Sequence, residues 1–317
     1  LPAVVLRRLA ALRLLLLVLA GCEQGSGCDL VKVTQVPLEP KGRVFAVPVS
    51  VNGQSISMLL DTGANTSLLT DTAVQRLRIA QDGQTVTIVS GVAGGSLRAD
   101  ARLDTMTLGS ASLPVARIPV NSLAGFDGVL GLNIMKNFDL DIDAPNRALT
   151  LYRVRSCERA SPPWSEPAIP IAGASTRMGW LAIPFEIDGV AGSAVIDTGA
   201  SFTWINPGMA KRLGLTEQSL ANDRSLKLHV IAGEDAQARV HRFQTMQVGP
   251  LTLHDVPVVV LAKEPPALGG GRYFSEAVIG QDVLSHRRIW FSFATDRLFI
   301  ARSVDDPPAR EQATPGN

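Results

Sequence analysis

Apolar and polar residues alternate with a period of two through much of this chain, in runs too short for helices and suited to half-buried strands. Val47-Pro48-Val49-Ser50-Val51 leads into Asn52-Gly53, and Ile183-Pro184-Phe185-Glu186-Ile187 leads into Asp188-Gly189. Asn-Gly and Asp-Gly are strong hairpin signals, because both turn positions need a positive φ. Further strand-like runs fall at 85–89, 102–108 and 226–231. Short helices are predicted at 70–77, 133–137, 207–213 and 282–286, with Pro207 suited to a helix start. Many strands with few short helices predict an all-β, barrel-like architecture.

These parts occur twice, in the same order. Each hairpin leads to a second strand that ends in Asp-Thr-Gly-Ala, at Asp61-Thr62-Gly63-Ala64 and at Asp197-Thr198-Gly199-Ala200. Late in each repeat an apolar pair precedes glycine, in Phe126-Asp127-Gly128-Val129-Leu130-Gly131-Leu132 and in Ala277-Val278-Ile279-Gly280-Gln281. A short helix is expected after each of these glycines, and a last pair of strands is expected to close each lobe. The expected organisation is a leader at 1–22, a tether at 23–43, a first lobe at 44–155, a Pro-rich connector at 156–179, a second lobe at 180–303 and a loose tail at 304–317.

At 317 residues the chain can form two domains, each with its own core. Apolar residues make up 46% and charged residues 19%, a globular composition and not a disordered one. The formal net charge is +1, and loss of Arg7, Arg8 and Arg13 with the leader would leave about −2. That balance gives no footprint for nucleic acid and no basic patch for a lipid surface.

In the leader, those arginines precede an apolar stretch at 14–20, too short to cross a hydrocarbon layer of about 30 Å as a helix. It ends Leu19-Ala20-Gly21-Cys22, which resembles a bacterial lipobox, where cleavage precedes a cysteine that then receives lipid. The other reading is an ordinary signal peptide cut after Ala20 or Gly21, with Cys22 incidental. The lipobox implies a protein anchored by lipid in the bacterial cell envelope, on the periplasmic side. Cys28 and Cys157 then remain as an even pair in an oxidising setting. A bridge between them would tie together the two ends of the first lobe; two free thiols are the alternative.

Asp61 and Asp197 carry the candidate chemistry. A carboxylate at the end of an apolar strand is costly to bury, and desolvation forces its pKa upward. One Asp before Thr-Gly could simply shape a turn. Two such copies in equivalent halves instead suggest side chains that meet and titrate as a unit, sharing one proton. Thr62 and Thr198 offer hydroxyls that could lock one turn against the other. Gly63 and Gly199 let the backbone turn tightly and approach the partner carboxylate.

These doubled motifs resemble those of pepsin-like aspartic peptidases built from two retroviral-protease-like lobes, as in bacterial tandem aspartyl proteases. The resemblance rests on both Asp-Thr-Gly-Ala motifs, on Val129-Leu130-Gly131 with Val278-Ile279-Gly280, and on Ser201-Phe202-Thr203-Trp204. It implies a two-lobed all-β fold, each lobe a β-barrel with short helices. It also implies an aspartic endopeptidase in which one aspartate acts as general base on water while the other, protonated, hydrogen-bonds the scissile carbonyl. The substrate would be a peptide or protein. No metal, covalent intermediate or organic cofactor is required, and one chain with both half-sites would act as a monomer. Hairpins at 90–95 and 232–235 are candidate flaps over the cleft.

The chain departs from the pepsin pattern. Tyr152 and Tyr273 lie away from the flap regions, and Ala64 and Ala200 stand where pepsins usually place Ser or Thr. Without that hydroxyl the shared proton should be held more firmly, giving a milder pH optimum than pepsin's. Other chemistries find no support. His229, His241, His254 and His286 lack paired metal-ligand spacing, Cys157 lacks a nucleophile's context, and the glycines at 269–271 are followed by no Lys-Ser/Thr. Trp164, Trp180, Trp204 and Trp290 read as core or interface residues. The competing reading is a non-catalytic peptide-binding lipoprotein that keeps the same cleft.

Overall fold

Both predicted hairpin turns form. Asn52 and Gly53 have φ of 48° and 80°, and Asp188 and Gly189 have 44° and 78°, the left-handed pair that such tight turns demand. The computed structural model describes residues 29–91, 94–155, 161–176, 178–228, 236–249, 251–263 and 275–301. The leader, Cys22, Cys28, Cys157, the candidate flap tip at 232–235, the glycines at 269–271 and the tail at 304–317 lie outside these residues. Among them the architecture is all-β and two-lobed, with four short helices.

Each lobe threads its chain in the same way. In the first, Val44–Val51 pairs antiparallel with Gln54–Leu60. Gly128–Leu130 then inserts beside Gln54–Leu60 in parallel and beside Leu68–Thr70 antiparallel, with Val129 opposite both Leu59 and Leu68. In the second, Leu181–Ile187 pairs with Val190–Ile196. Ala277–Ile279 inserts between Val190–Ile196 and Trp204–Ile205. A three-residue apolar strand, buried throughout, thus grips the chain on both sides of each Asp-Thr-Gly turn.

The helices lie close to their predicted places. Asp71–Leu77 is capped by Thr70, whose hydroxyl accepts from Ala73 N, and Pro207–Arg212 starts on proline after the cap Asn206. Leu132–Met135 and Gln281–Leu284 follow the two glycines.

Three expectations need correction. The segment assigned as a tether is largely strand: Asp29–Pro37 pairs with Ala148–Arg155, and Glu39–Lys41 pairs with Val44–Val51. Its alternation, interrupted by a shift between Lys32 and Thr34, buries Thr34 and Val36 and explains the pairing. The connector also contributes strands, at Ala168–Ala172 and Ala174–Ser175. The closing strand pairs do not stay within their lobes. Asp139–Asp143 and Arg288–Ser292 meet antiparallel, with Leu140 opposite Phe291 and Ile142 opposite Ile289. With Asp29–Pro37, Ala148–Arg155, Arg297–Ala301 and Ala168–Ala172 they form one six-stranded sheet shared by both lobes.

That shared sheet carries buried polar groups at its junction. Asp141 receives Arg288 through two bonds, at 3.0 and 2.8 Å. The guanidinium also lies over the Trp164 ring, 4.8 Å from its centroid. Asp139 accepts from Ser292 Oγ at 2.7 Å and from Trp290 Nε1 at 3.3 Å, and burial pushes its carboxyl above the usual carboxylate range. These contacts fix how one lobe sits on the other, and therefore how the two Asp-Thr-Gly turns meet.

Candidate active site

Asp61 begins where its strand ends. Its N–H continues the ladder to Leu130 O at 3.1 Å, and Asp197 N makes the equivalent bond to Ile279 O at 3.0 Å. After each aspartate the chain turns back, so the following amides face the carboxyl. Asp61 Oδ1 accepts from Gly63 N at 2.9 Å and Ala64 N at 2.8 Å. Asp197 Oδ1 accepts from Gly199 N at 2.8 Å and Ala200 N at 3.1 Å.

The turns are then locked to each other. Thr62 Oγ1 donates to Ile196 O at 2.7 Å and accepts from Thr198 N at 3.0 Å. Reciprocally, Thr198 Oγ1 donates to Leu60 O at 2.7 Å and accepts from Thr62 N at 3.0 Å. All four bonds are buried, where an unmade partner would cost most. The glycines serve close approach: a Cβ on Gly63 would overlap the Asp197 carboxyl, and one on Gly199 would overlap that of Asp61.

This brings the two carboxyls into mutual hydrogen bonding. Asp61 is buried and Asp197 partly buried. Burial pushes Asp61 well above the usual carboxylate range, and the charge of Asp197 and the bond between the two raise it further. Burial raises Asp197 as well, but the Gly199 amide and the bond from Asp61 work against that rise. Both carboxyls are thus pushed upward, chiefly by burial, and they titrate as a unit that shares one proton. Such a pair can hold one proton while one member receives another from a neighbouring water.

Support for the turns repeats in both lobes. Ser67 Oγ donates to Asn133 Oδ1 at 2.7 Å and accepts from Gly131 N at 2.9 Å. In the second lobe Thr203 Oγ1 donates to Asp282 Oδ1 at 2.7 Å and accepts from Gly280 N at 3.1 Å. Arg76 pairs with Asp127 at 2.8 Å while Ser57 N donates to the same carboxylate; Arg212 pairs with Glu276 at 2.6 Å while Ser193 N donates to it. Sequence reading missed these supports. Their signal was present, because Arg76 and Arg212, like Ser57 and Ser193, share the spacing of the two aspartates.

Trp180 is placed at the interface, as expected, but also in the site. Its indole Nε1 donates to Gly63 O at 2.7 Å, so a residue opening the second lobe holds the first lobe's turn. The strands Gln81–Gly91 and Gly94–Arg102 pair antiparallel up to Ser90 opposite Gly95 and Gly91 opposite Gly94, so the described residues of the candidate flap at 90–95 are strand ends, while 92 and 93 lie outside the described residues. In the second lobe Arg224–Leu228 pairs with Ala236–Val248 up to Leu228 opposite Ala236.

A family model described as aspartyl protease matches residues 47–134 and 183–283, one stretch in each lobe and together more than half of the chain. Among solved structures, the crystal structure of the aspartic proteinase from Irpex lacteus is similar at 16% sequence identity, covering 86% of this chain and 97% of that chain, with a TM-score of 0.49. No curated protein matches the chain.

Proposed function

This chain belongs to the aspartyl protease family and is a hydrolase of that class, and we propose that Asp61 and Asp197 are its catalytic pair in an endopeptidase acting on peptides or proteins. The observation that carries this reading is the meeting of the two carboxyls, both raised by burial and able to share one proton. Asp197, ionised, draws a proton from a water that attacks the scissile carbonyl carbon. Asp61 donates its proton to the carbonyl oxygen, so that a neutral gem-diol forms. Asp197 then passes its proton to the leaving amine nitrogen as the C–N bond breaks, while Asp61 takes a proton back from one gem-diol hydroxyl as the carboxylic acid forms, and the pair returns to its starting state. Thr62, Gly63, Thr198 and Gly199 hold the carboxyls in this geometry, and a monomer suffices because one chain supplies both halves.

The hairpin of Gln81–Gly91 with Gly94–Arg102 is assigned as a flap that closes over the peptide and excludes water. Location follows from the leader: Cys22 carries lipid and holds the enzyme in the bacterial envelope, facing the periplasm. Leu19-Ala20-Gly21-Cys22 supports this anchoring.

The test is incubation of the purified protein, freed of residues 1–22, with a diverse peptide library. Cleavage that disappears in both Asp61→Asn and Asp197→Asn supports the catalytic reading. Binding without products would instead identify a peptide-binding protein that keeps the cleft. Mass spectrometry of the protein from bacterial membranes tests the anchor, by a diacylglyceryl adduct on Cys22.

A further inference from the structure

The two repeats differ just after their second glycine, where Leu132 follows Gly131 and Gln281 follows Gly280. Their backbones act alike: Leu132 N donates to Ala64 O and Gln281 N donates to Ala200 O, each at 2.8 Å. Their side chains cannot. Gln281 Nε2 donates to Thr198 O at 2.8 Å, whereas leucine has nothing to donate. The Gln281 side chain is 2% exposed, and its Oε1 has no hydrogen-bond partner among the described residues. Burying an amide with half its capacity unmet is unfavourable, so the retained bond has to justify the residue.

The accepting carbonyl belongs to the peptide between Thr198 and Gly199. The N–H end of that same peptide donates to Asp197 Oδ1 at 2.8 Å. A donor at the carbonyl end polarises the peptide and strengthens the bond made at its N–H end. We propose that Gln281 is a positioning residue for Asp197, acting through the Thr198–Gly199 peptide to hold its carboxylate in place and favour its charged form. This rests on the catalytic reading above and adds to it a residue that touches neither substrate nor reacting atoms.

The charged surroundings leave this route open. Asp61 is the titratable group that acts on Asp197 from the other lobe. Asp282, on the same helix as Gln281, is turned to Thr203, and Arg43 lies over the Phe202 ring. Trp180 makes its contact on the first lobe's turn one peptide further along, at Gly63 O, and so acts on the Ala64 amide of Asp61.

The experiment compares two substitutions. Gln281→Met keeps the length and removes the donor. Gln281→Glu keeps the shape and, protonated in its buried place at acid pH, keeps a donor as well. Peptide cleavage lost in Asp61→Asn and in Asp197→Asn first secures the parent reading; if it is not lost, that reading fails before this one is reached. With it secured, the acid limb of kcat against pH is expected to rise by about half a unit in Gln281→Met, with KM unchanged. Gln281→Glu is expected to restore the limb toward its original position. An unmoved acid limb in folded Gln281→Met overturns the proposal. So does a failure of both variants to fold, since either result assigns Gln281 to the fold alone.

Discussion

Thr62 and Thr198 each complete the other's turn: each hydroxyl donates to a carbonyl of the opposite lobe and accepts the opposite threonine's amide, at 2.7 and 3.0 Å in both directions. The exchange links two segments distant in sequence and makes the alignment of the carboxyls a property of the lobe interface.

Removing one hydroxyl therefore strands groups in both lobes. Thr198→Val leaves Leu60 O and Thr62 N buried without their partner. The expected cost is about 2–4 kcal/mol, measured by denaturant unfolding, with a fall in kcat. Thr198→Ser keeps the hydroxyl and should recover most of both. Equal stability of Val and Ser variants would refute the interlock as a stabilising contact.

Close approach makes the glycines equally sensitive. In Gly199→Ala the new methyl overlaps the Asp61 carboxyl, which must move. A displacement of this kind is expected to lower kcat by about 10²-fold. The check is kinetic, with circular dichroism showing that the fold persists.

The pH dependence of stability follows from the raised carboxyls. Asp61, Asp197, Asp139 and Asp282 are all raised from 3.8, chiefly by burial. Each keeps its proton in the folded state over an interval where the unfolded chain has already lost it. Their contribution is fully present below the unfolded value and is lost as pH rises through the folded values. Asp61→Asn removes the largest of these effects. It should be more stable than the wild type near neutral pH, with the difference closing in strong acid; a gap that stays constant across pH would contradict this origin.

Activity should peak in mild rather than strong acid. One oxygen of each carboxyl, Oδ1, receives backbone amides, from Gly63 and Ala64 at Asp61 and from Gly199 and Ala200 at Asp197, and alanine adds no hydroxyl at either turn. Ala64→Ser is expected to shift the acid limb of the pH–rate profile downward, because a new donor favours the charged form.

Arg288 is the expected weak point of the lobe junction. Its guanidinium makes two bonds to Asp141, whose side chain is 2% exposed, and approaches Asp143 at 3.5 Å. Arg288→Ala leaves a buried carboxylate unpaired, at a cost of about 3 kcal/mol. Calorimetry should show the loss, and Arg288→Met should recover part of it through packing alone.

The two cysteines beyond the first lobe give a further check. The ladder of Asp29–Pro37 with Ala148–Arg155 ends with Asp29 opposite Arg155; in sequence Cys28 comes just before Asp29 and Cys157 soon after Arg155. A disulfide between them is expected, detectable as one cross-linked peptide in non-reducing digests. Two alkylatable thiols in the unreduced protein would rule it out.

Local signals made much of the chain legible. Asn52-Gly53 and Asp188-Gly189 between alternating runs favour left-handed turns, and Pro207 marks a helix start with no help from distant residues. The repeated Asp-Thr-Gly was legible because the same unusual residue order occurs twice. Asp29–Pro37 was misjudged because a strand of mixed polarity needs a partner, and its partner lies more than a hundred residues away. The roles of Trp180 and Gln281 were hidden for a related reason. An indole and an amide look like ordinary buried residues until the carbonyl each one meets is known.

The amino-acid order alone determined the two repeats, their turns, the short helices and the pair of aspartates. These depend on backbone sterics and on side chains within a few residues of one another. Only the tertiary structure decided that the closing strands of both lobes join in one sheet, that Thr62 and Thr198 interlock, and that burial raises both carboxyls. Those outcomes depend on burial and on hydrogen bonds between distant segments, and both exist only once the lobes have packed together.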